Sequence, residues 1–154
     1  MSKKVVIIDY QMSNLFSVVR AIEQVGYKPI VSNSPEEILA ADALILPGVG
    51  AFKAAMDNLD KLGLVNPIKK YITSGKPFMG VCLGLQLLFE VSEEFGHHNG
   101  LGIIKGVVKR FETSKGGNEK IPQISWNTIQ SETTSWDNTP LKHLKENAFM
   151  YFVH

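Results

Sequence analysis

A chain of 154 residues that is 44% hydrophobic and 20% charged, with a formal net charge of +1, has the composition of one ordinary globular domain able to bury a core. Its basic residues are scattered, and no local run exceeds the pair Lys69-Lys70, which excludes a nucleic-acid footprint, while an acidic tail is likewise absent. The single cysteine, Cys82, excludes an intrachain disulfide and suits a reducing compartment; the N-terminal MSKKVVIIDY holds too short an apolar run for a signal-peptide core or a membrane span, so a cytoplasmic protein is expected.

Residues 4–9, KVVIID, form a β-branched run of the kind buried on both faces of a parallel sheet. Leu15, Val18, Val19, Ile22 and Val25 then recur at helical spacing, with Gly26 as the stop. KPIVS is a second strand. SPEEILAA opens a helix in which Ser34 is the N-cap, Pro35 the first helical residue and Glu37 the far side of a capping box. ALILPG is a third buried strand, residues 51–62 and 65–74 are helices, and PFMGV is a fourth strand leading to a helix over 83–94. This alternation predicts an α/β fold, a doubly wound, mostly parallel sheet with helices on both faces. From Leu101 the pattern changes. GIIKGVVKRFE and KIPQISWNTIQ read as strands joined by the polar loop TSKGGNEK, in the manner of an antiparallel insertion; TPLKHLKEN reads as a short helix and AFMYFVH as a last strand. The chain is expected to be a single domain, residues 1–154, without internal repeats.

Gly80-Val81-Cys82-Leu83-Gly84 lies between the fourth strand and the following helix, the cysteine version of a nucleophile elbow. So tight a reversal leaves no room for side chains two positions on either side of the thiol, and it aims the thiol at a helix N-terminus, which favours thiolate. The plain alternative is a buried structural cysteine. Pro47-Gly48-Val49-Gly50 follows the third strand, where its backbone N–H groups can approach a ligand. One N–H from this loop and that of Leu83 are candidate oxyanion donors, and the loop is the candidate switch, because Gly48 and Gly50 flank Val49 and let the peptide between them reorient to present or withdraw a donor. Of the four histidines, His97, His98 and His143 sit in polar or amphipathic surroundings, whereas His154 ends an apolar strand, where catalytic groups emerge in this architecture. There is no metal-ligand cluster, P-loop or dinucleotide fingerprint, so neither metal nor cofactor is expected.

In their order and spacing, IIDYQMSNLFSV, LILPGVGAF, GVCLGLQLLFEVSEE, KIPQISWN and YFVH resemble the HisH family, the glutaminase subunits of imidazole glycerol phosphate synthase within the class I glutamine amidotransferases. The resemblance runs over essentially the whole chain. It implies hydrolysis of L-glutamine through a cysteine thioester by a Cys-His-Glu triad, and passage of ammonia to a barrel-shaped cyclase subunit (HisF-like) in a heterodimer of histidine biosynthesis. By the same resemblance Cys82 is the nucleophile and His154 the general base. Val49 and Leu83 are the oxyanion donors, Gly50 lies beside the substrate, and Gln86 and Glu94, one and three turns along the expected helix, hold glutamine.

Three departures bear on that reading. The family's triad glutamate lies in an HPE-type motif beyond its FVH-containing strand, so the chain is expected to be C-terminally truncated and nearly inactive alone. Where the family commonly has DYGMGN, this chain has Gln11 and Ser13, and PHMGWN appears as PQISWN. The last two leave open a paralogue that feeds ammonia to a surface-sugar amidotransferase. A non-catalytic binding subunit remains for the truncated form, and another cysteine hydrolase of this architecture is disfavoured by PGVGAF and Gln86.

Overall fold

The computed structural model describes residues 3–111, 121–131, 135–137 and 139–153. Contacts divide the chain into two compact units, Met1–Arg110 and Phe111–His154.

In the first unit, the apolar run Val5–Ile8 is β1, buried at every position. It sits at the middle of a parallel sheet with β2 (Ile30–Ser32), β3 (Ala43–Leu46) and β4 (Phe78–Gly80), in the order β2-β1-β3-β4. Because side chains alternate across a strand, each strand feeds two cores. Val5, Ile7 and Ile45 pack with Leu15, Val18, Val19 and Ile22 of helix α1 (Leu15–Gln24) on one face. Val6, Ile8, Leu44 and Leu46 pack on the other face with α2 (Pro35–Ala40), α3 (Phe52–Lys61) and α4 (Val65–Thr73), through Ile38, Phe52, Leu59, Ile68 and Tyr71. Helices therefore cover both faces, as the alternation predicts.

Local signals act as expected with one change. Ser34 caps α2, accepting the Glu37 N–H at 3.3 Å, but the Glu37 side chain does not complete a capping box. The Ser34 N–H is donated instead to the Ser32 hydroxyl at 3.0 Å, and the Ser34 hydroxyl is 2.6 Å from the Glu36 carboxylate.

After β4 the structure departs from the sequence-based expectation. The helix expected over 83–94 is a single turn, α5 (Leu83–Gln86), and Phe89–Ser92 is a strand, β5. β5 pairs antiparallel with β6 (His98–Asn99) and parallel with β7 (Ile104–Val108). Leu87 and Leu88 lead into this pairing, their carbonyls accepting the Leu101, Ile103 and Ile104 N–H groups at 2.8–2.9 Å. These non-local bonds override the helical spacing of the segment. For the same reason the two strands expected to pair with each other do not: β7 belongs to β5.

In the second unit, β8 (Ile124–Ile129) pairs antiparallel with β9 (Ala148–Val153) over six residue pairs, Trp126 facing Tyr151 with ring centroids 5.4 Å apart. The expected helix at 139–147 is a series of turns, in which Thr139 N–H donates to Trp136 O and Leu144 N–H to Leu141 O. The loop 113–120 lies outside the described residues. No helix is long and apolar enough to cross a membrane among the residues described.

Candidate active site

The strand order places β1 and β3 side by side with their crossovers leaving in opposite directions, which opens a crevice beyond their carboxyl ends. The candidate residues are found on the loops that leave those ends and the end of β4.

Val81 N–H donates to the Leu46 carbonyl at 2.9 Å, holding the chain against β3 up to the residue before the thiol. Cys82 then adopts φ 54°, ψ −118° and is exposed. For a residue with a side chain that conformation costs about 1–3 kcal/mol. Its carbonyl accepts the Leu85 and Gln86 N–H groups at 2.9 and 3.1 Å, which turns the chain back immediately. The flanking glycines are sterically required. A Cβ on Gly84 would overlap the Leu46 carbonyl oxygen, and one on Gly80 would lie 2.8 Å from Leu85 Cα and 2.9 Å from the Gly84 oxygen. The elbow is thus locked backbone to backbone. Since α5 is one turn long, the electrostatic support expected of a helix N-terminus reduces to the N–H groups of that turn. Leu83 N–H has no acceptor among the described residues.

The loop after β3 runs beside the elbow. Pro47 and Gly48 are buried, Val49 is 49% exposed, and Gly50 takes φ +94°. Val49 N–H donates to the Met12 carbonyl at 3.0 Å, so in this structure that donor is engaged with the loop after β1. The Gln11 of that loop has φ 70°, and its N–H is held by Asp9 Oδ1 at 3.0 Å.

Glu94, expected on a helix, instead follows β5. Its Oε2 accepts the Phe52 N–H at 2.6 Å and so caps α3, whose own N-cap Ala51 has no side chain able to do so. That brings its carboxylate next to Gly50-Ala51. Gln86 closes α5, half-buried, one turn from Cys82. His154 lies outside the described residues. His97 and His98 border a separate cavity of about 350 Å3 with Lys53, Asp57 and Asp60, which contains none of the elbow or loop residues.

Two participants were not singled out from sequence. The Met12 carbonyl is a backbone group that no residue letter reveals. Tyr10, just past the end of β1, is fully buried, and its hydroxyl has no hydrogen-bond partner among the described residues. Burial pushes the phenol well above its ordinary range, and the nearby Cys82 adds to the shift.

The family model "Glutamine amidotransferase class-I" matches residues 6–147, a span that includes residues of both units. An "Imidazole glycerol phosphate synthase subunit HisH" from Syntrophotalea carbinolica is 47% identical over 154 residues, covering 97% of this chain and 73% of that protein. The protein of that name from Aquifex aeolicus is 50% identical over 152 residues, 98% of this chain and 70% of its own. That from Thermosynechococcus vestitus is 49% identical over 151 residues, 97% and 69%. A solved structure described as "Crystal structure of glutamine amidotransferase" shares the fold, with a TM-score of 0.62 at 16% identity over 80% of this chain and 62% of that chain. With an elbow cysteine after β4 and a glycine loop after β3 at the switch point of such a sheet, the chain belongs to the class-I glutamine amidotransferases, in the HisH family.

Proposed function

We propose that the protein is the glutaminase subunit of an imidazole glycerol phosphate synthase, working in the cytoplasm as a heterodimer with a barrel-shaped cyclase subunit. The observation that carries this is Cys82: an exposed thiol at a strained backbone position, fixed by glycines that tolerate no side chain.

In this reading the Cys82 sulfur attacks the carboxamide carbon of L-glutamine while His154 takes up the thiol proton. The oxygen that gains charge is met by the N–H groups of Leu83 and Val49, of which Leu83 is already without an acceptor among the described residues. His154 returns the proton to the leaving nitrogen, the C–N bond breaks, and ammonia departs toward the cyclase subunit. Water then attacks the thioester, releasing glutamate and restoring the thiol. Gln86, Gly50 and Glu94 hold the substrate. Glu94 can do so while capping α3, because a carboxylate has two oxygens and about four acceptor sites.

Val49 serves the oxyanion only after its N–H leaves the Met12 carbonyl. A partner that binds the turned loop better than the resting one shifts the population toward it, and the bond to be broken is worth about 1 kcal/mol net. Glutamine hydrolysis is thereby tied to the presence of the cyclase.

Replacing Cys82 by Ala in the full-length protein, assembled with a cyclase subunit, should abolish glutamine-dependent synthesis and leave ammonia-dependent synthesis running. Loss of both activities would make the cysteine structural and contradict the proposal.

A further inference from the structure

The side chain of Tyr10 leaves the end of β1 and is wholly inaccessible, yet among the described residues its hydroxyl has no hydrogen-bond partner. A buried polar atom left in that state requires a reason, since phenylalanine would fill the same volume without the penalty. Its position supplies one. A Cβ on Gly48 would clash with the Tyr10 hydroxyl, and it would also lie 2.8 Å from the Gly84 nitrogen and 2.9 Å from Leu83 Cβ. Tyr10 therefore reaches in between the loop that carries Val49 and the turn that carries Leu83. Its main chain is held independently of either, the Tyr10 carbonyl accepting from Asn58 Nδ2 at 3.2 Å. The residue thus presents a fixed, unused donor to the Gly48–Val49 peptide.

When that peptide turns, its N–H and carbonyl exchange sides. The N–H gives up Met12, and the carbonyl of the buried Gly48 turns to a side where a donor can meet it. We propose that the Tyr10 hydroxyl is a positioning residue for catalysis: it donates to the Gly48 carbonyl in the turned orientation and holds the Val49 N–H in the oxyanion hole. The inference rests on the glutaminase reading above and adds to it the group that stabilises the competent loop. The resting structure leaves the hydroxyl unpaired because its acceptor belongs to the other orientation. Tyr10 touches neither thiol proton nor substrate in this scheme; it acts through the loop.

Tyr10→Phe in the full-length protein with its cyclase subunit tests this. The kcat for glutamine hydrolysis should fall about ten-fold, equivalent to about 1.4 kcal/mol of lost stabilisation of the transition state, with KM for glutamine unchanged. The thermal midpoint of the isolated variant should stay level or rise, since only an unpaired hydroxyl is removed. Co-elution of the two subunits on size-exclusion chromatography serves as the control for assembly. An unchanged kcat overturns the proposal. So does a fall in kcat accompanied by a lowered midpoint, which would mark the hydroxyl as a structural partner. A failure of the underlying reading is separately visible, because Cys82→Ala would then retain glutamine turnover.

Discussion

Cys82 holds a backbone conformation that suits glycine better than any residue with a Cβ, at φ 54° and ψ −118°. The chain tolerates the strain because the reward is a thiol standing clear of the strand end. Cys82→Gly should therefore raise stability, by about 1–2 kcal/mol once the cost of glycine's freedom in the unfolded chain is deducted, and should eliminate glutaminase activity. A urea midpoint below that of the parent would show that no strain is stored there. The same conformational logic explains one sequence departure. Gln11 stands where the resemblance leads one to expect glycine, and its φ of 70° lies in the region glycine enters without strain. Asp9, accepting the Gln11 N–H, holds the turn in place of that freedom. The neighbouring departure, Ser13, has a buried hydroxyl without a partner among the described residues.

At the scale of the elements, Glu94 joins β5 to the start of α3 by a single carboxylate bond to Phe52 N–H. Glu94→Ala should cost about 1 kcal/mol in unfolding experiments run without glutamine, the usual worth of an N-cap. A residue that only held substrate would leave that stability untouched, so an unchanged midpoint contradicts the capping role. The segments from β1 to α4 were legible in sequence because each signal was local: a β-branched run buried on both faces, Ser34 before Pro35, a glycine after α1, α3 and α4. The elbow was legible for the same reason, since the spacing of Gly80 and Gly84 about Cys82 is itself the steric requirement. Residues 83–94 were misread because Leu87, Leu88, Val91 and Phe89 suit a helix face as well as a strand, and the choice was made by distant partners, Leu101–Val108. The pairing of β8 with β9 rather than β7 was hidden likewise, as register across a long connection leaves no mark in composition. The engagement of the Met12 carbonyl and the burial of the Tyr10 hydroxyl are properties of packing and have no letter in the sequence.

For the molecule as a whole, the order β2-β1-β3-β4 sets the loops after β1, β3 and β4 at one end of a single sheet. Each contributes one part: Met12 and Tyr10 from the first, Val49 and Gly50 from the second, Cys82 and Leu83 from the third. The arrangement gives a thiol a fixed seat and engages the Val49 N–H, the proposed oxyanion donor, with Met12 in this structure. Such a site suits hydrolysis that runs only when the released ammonia has somewhere to go. Opening of glutamine on Cys82 can be read by acid-quenching the full-length protein during glutamine turnover with its cyclase subunit and weighing the peptide that contains Cys82. A γ-glutamyl group is expected on that peptide, absent when glutamine is omitted. A Cys82 peptide that stays unmodified at every time of quench while glutamine is consumed would contradict it.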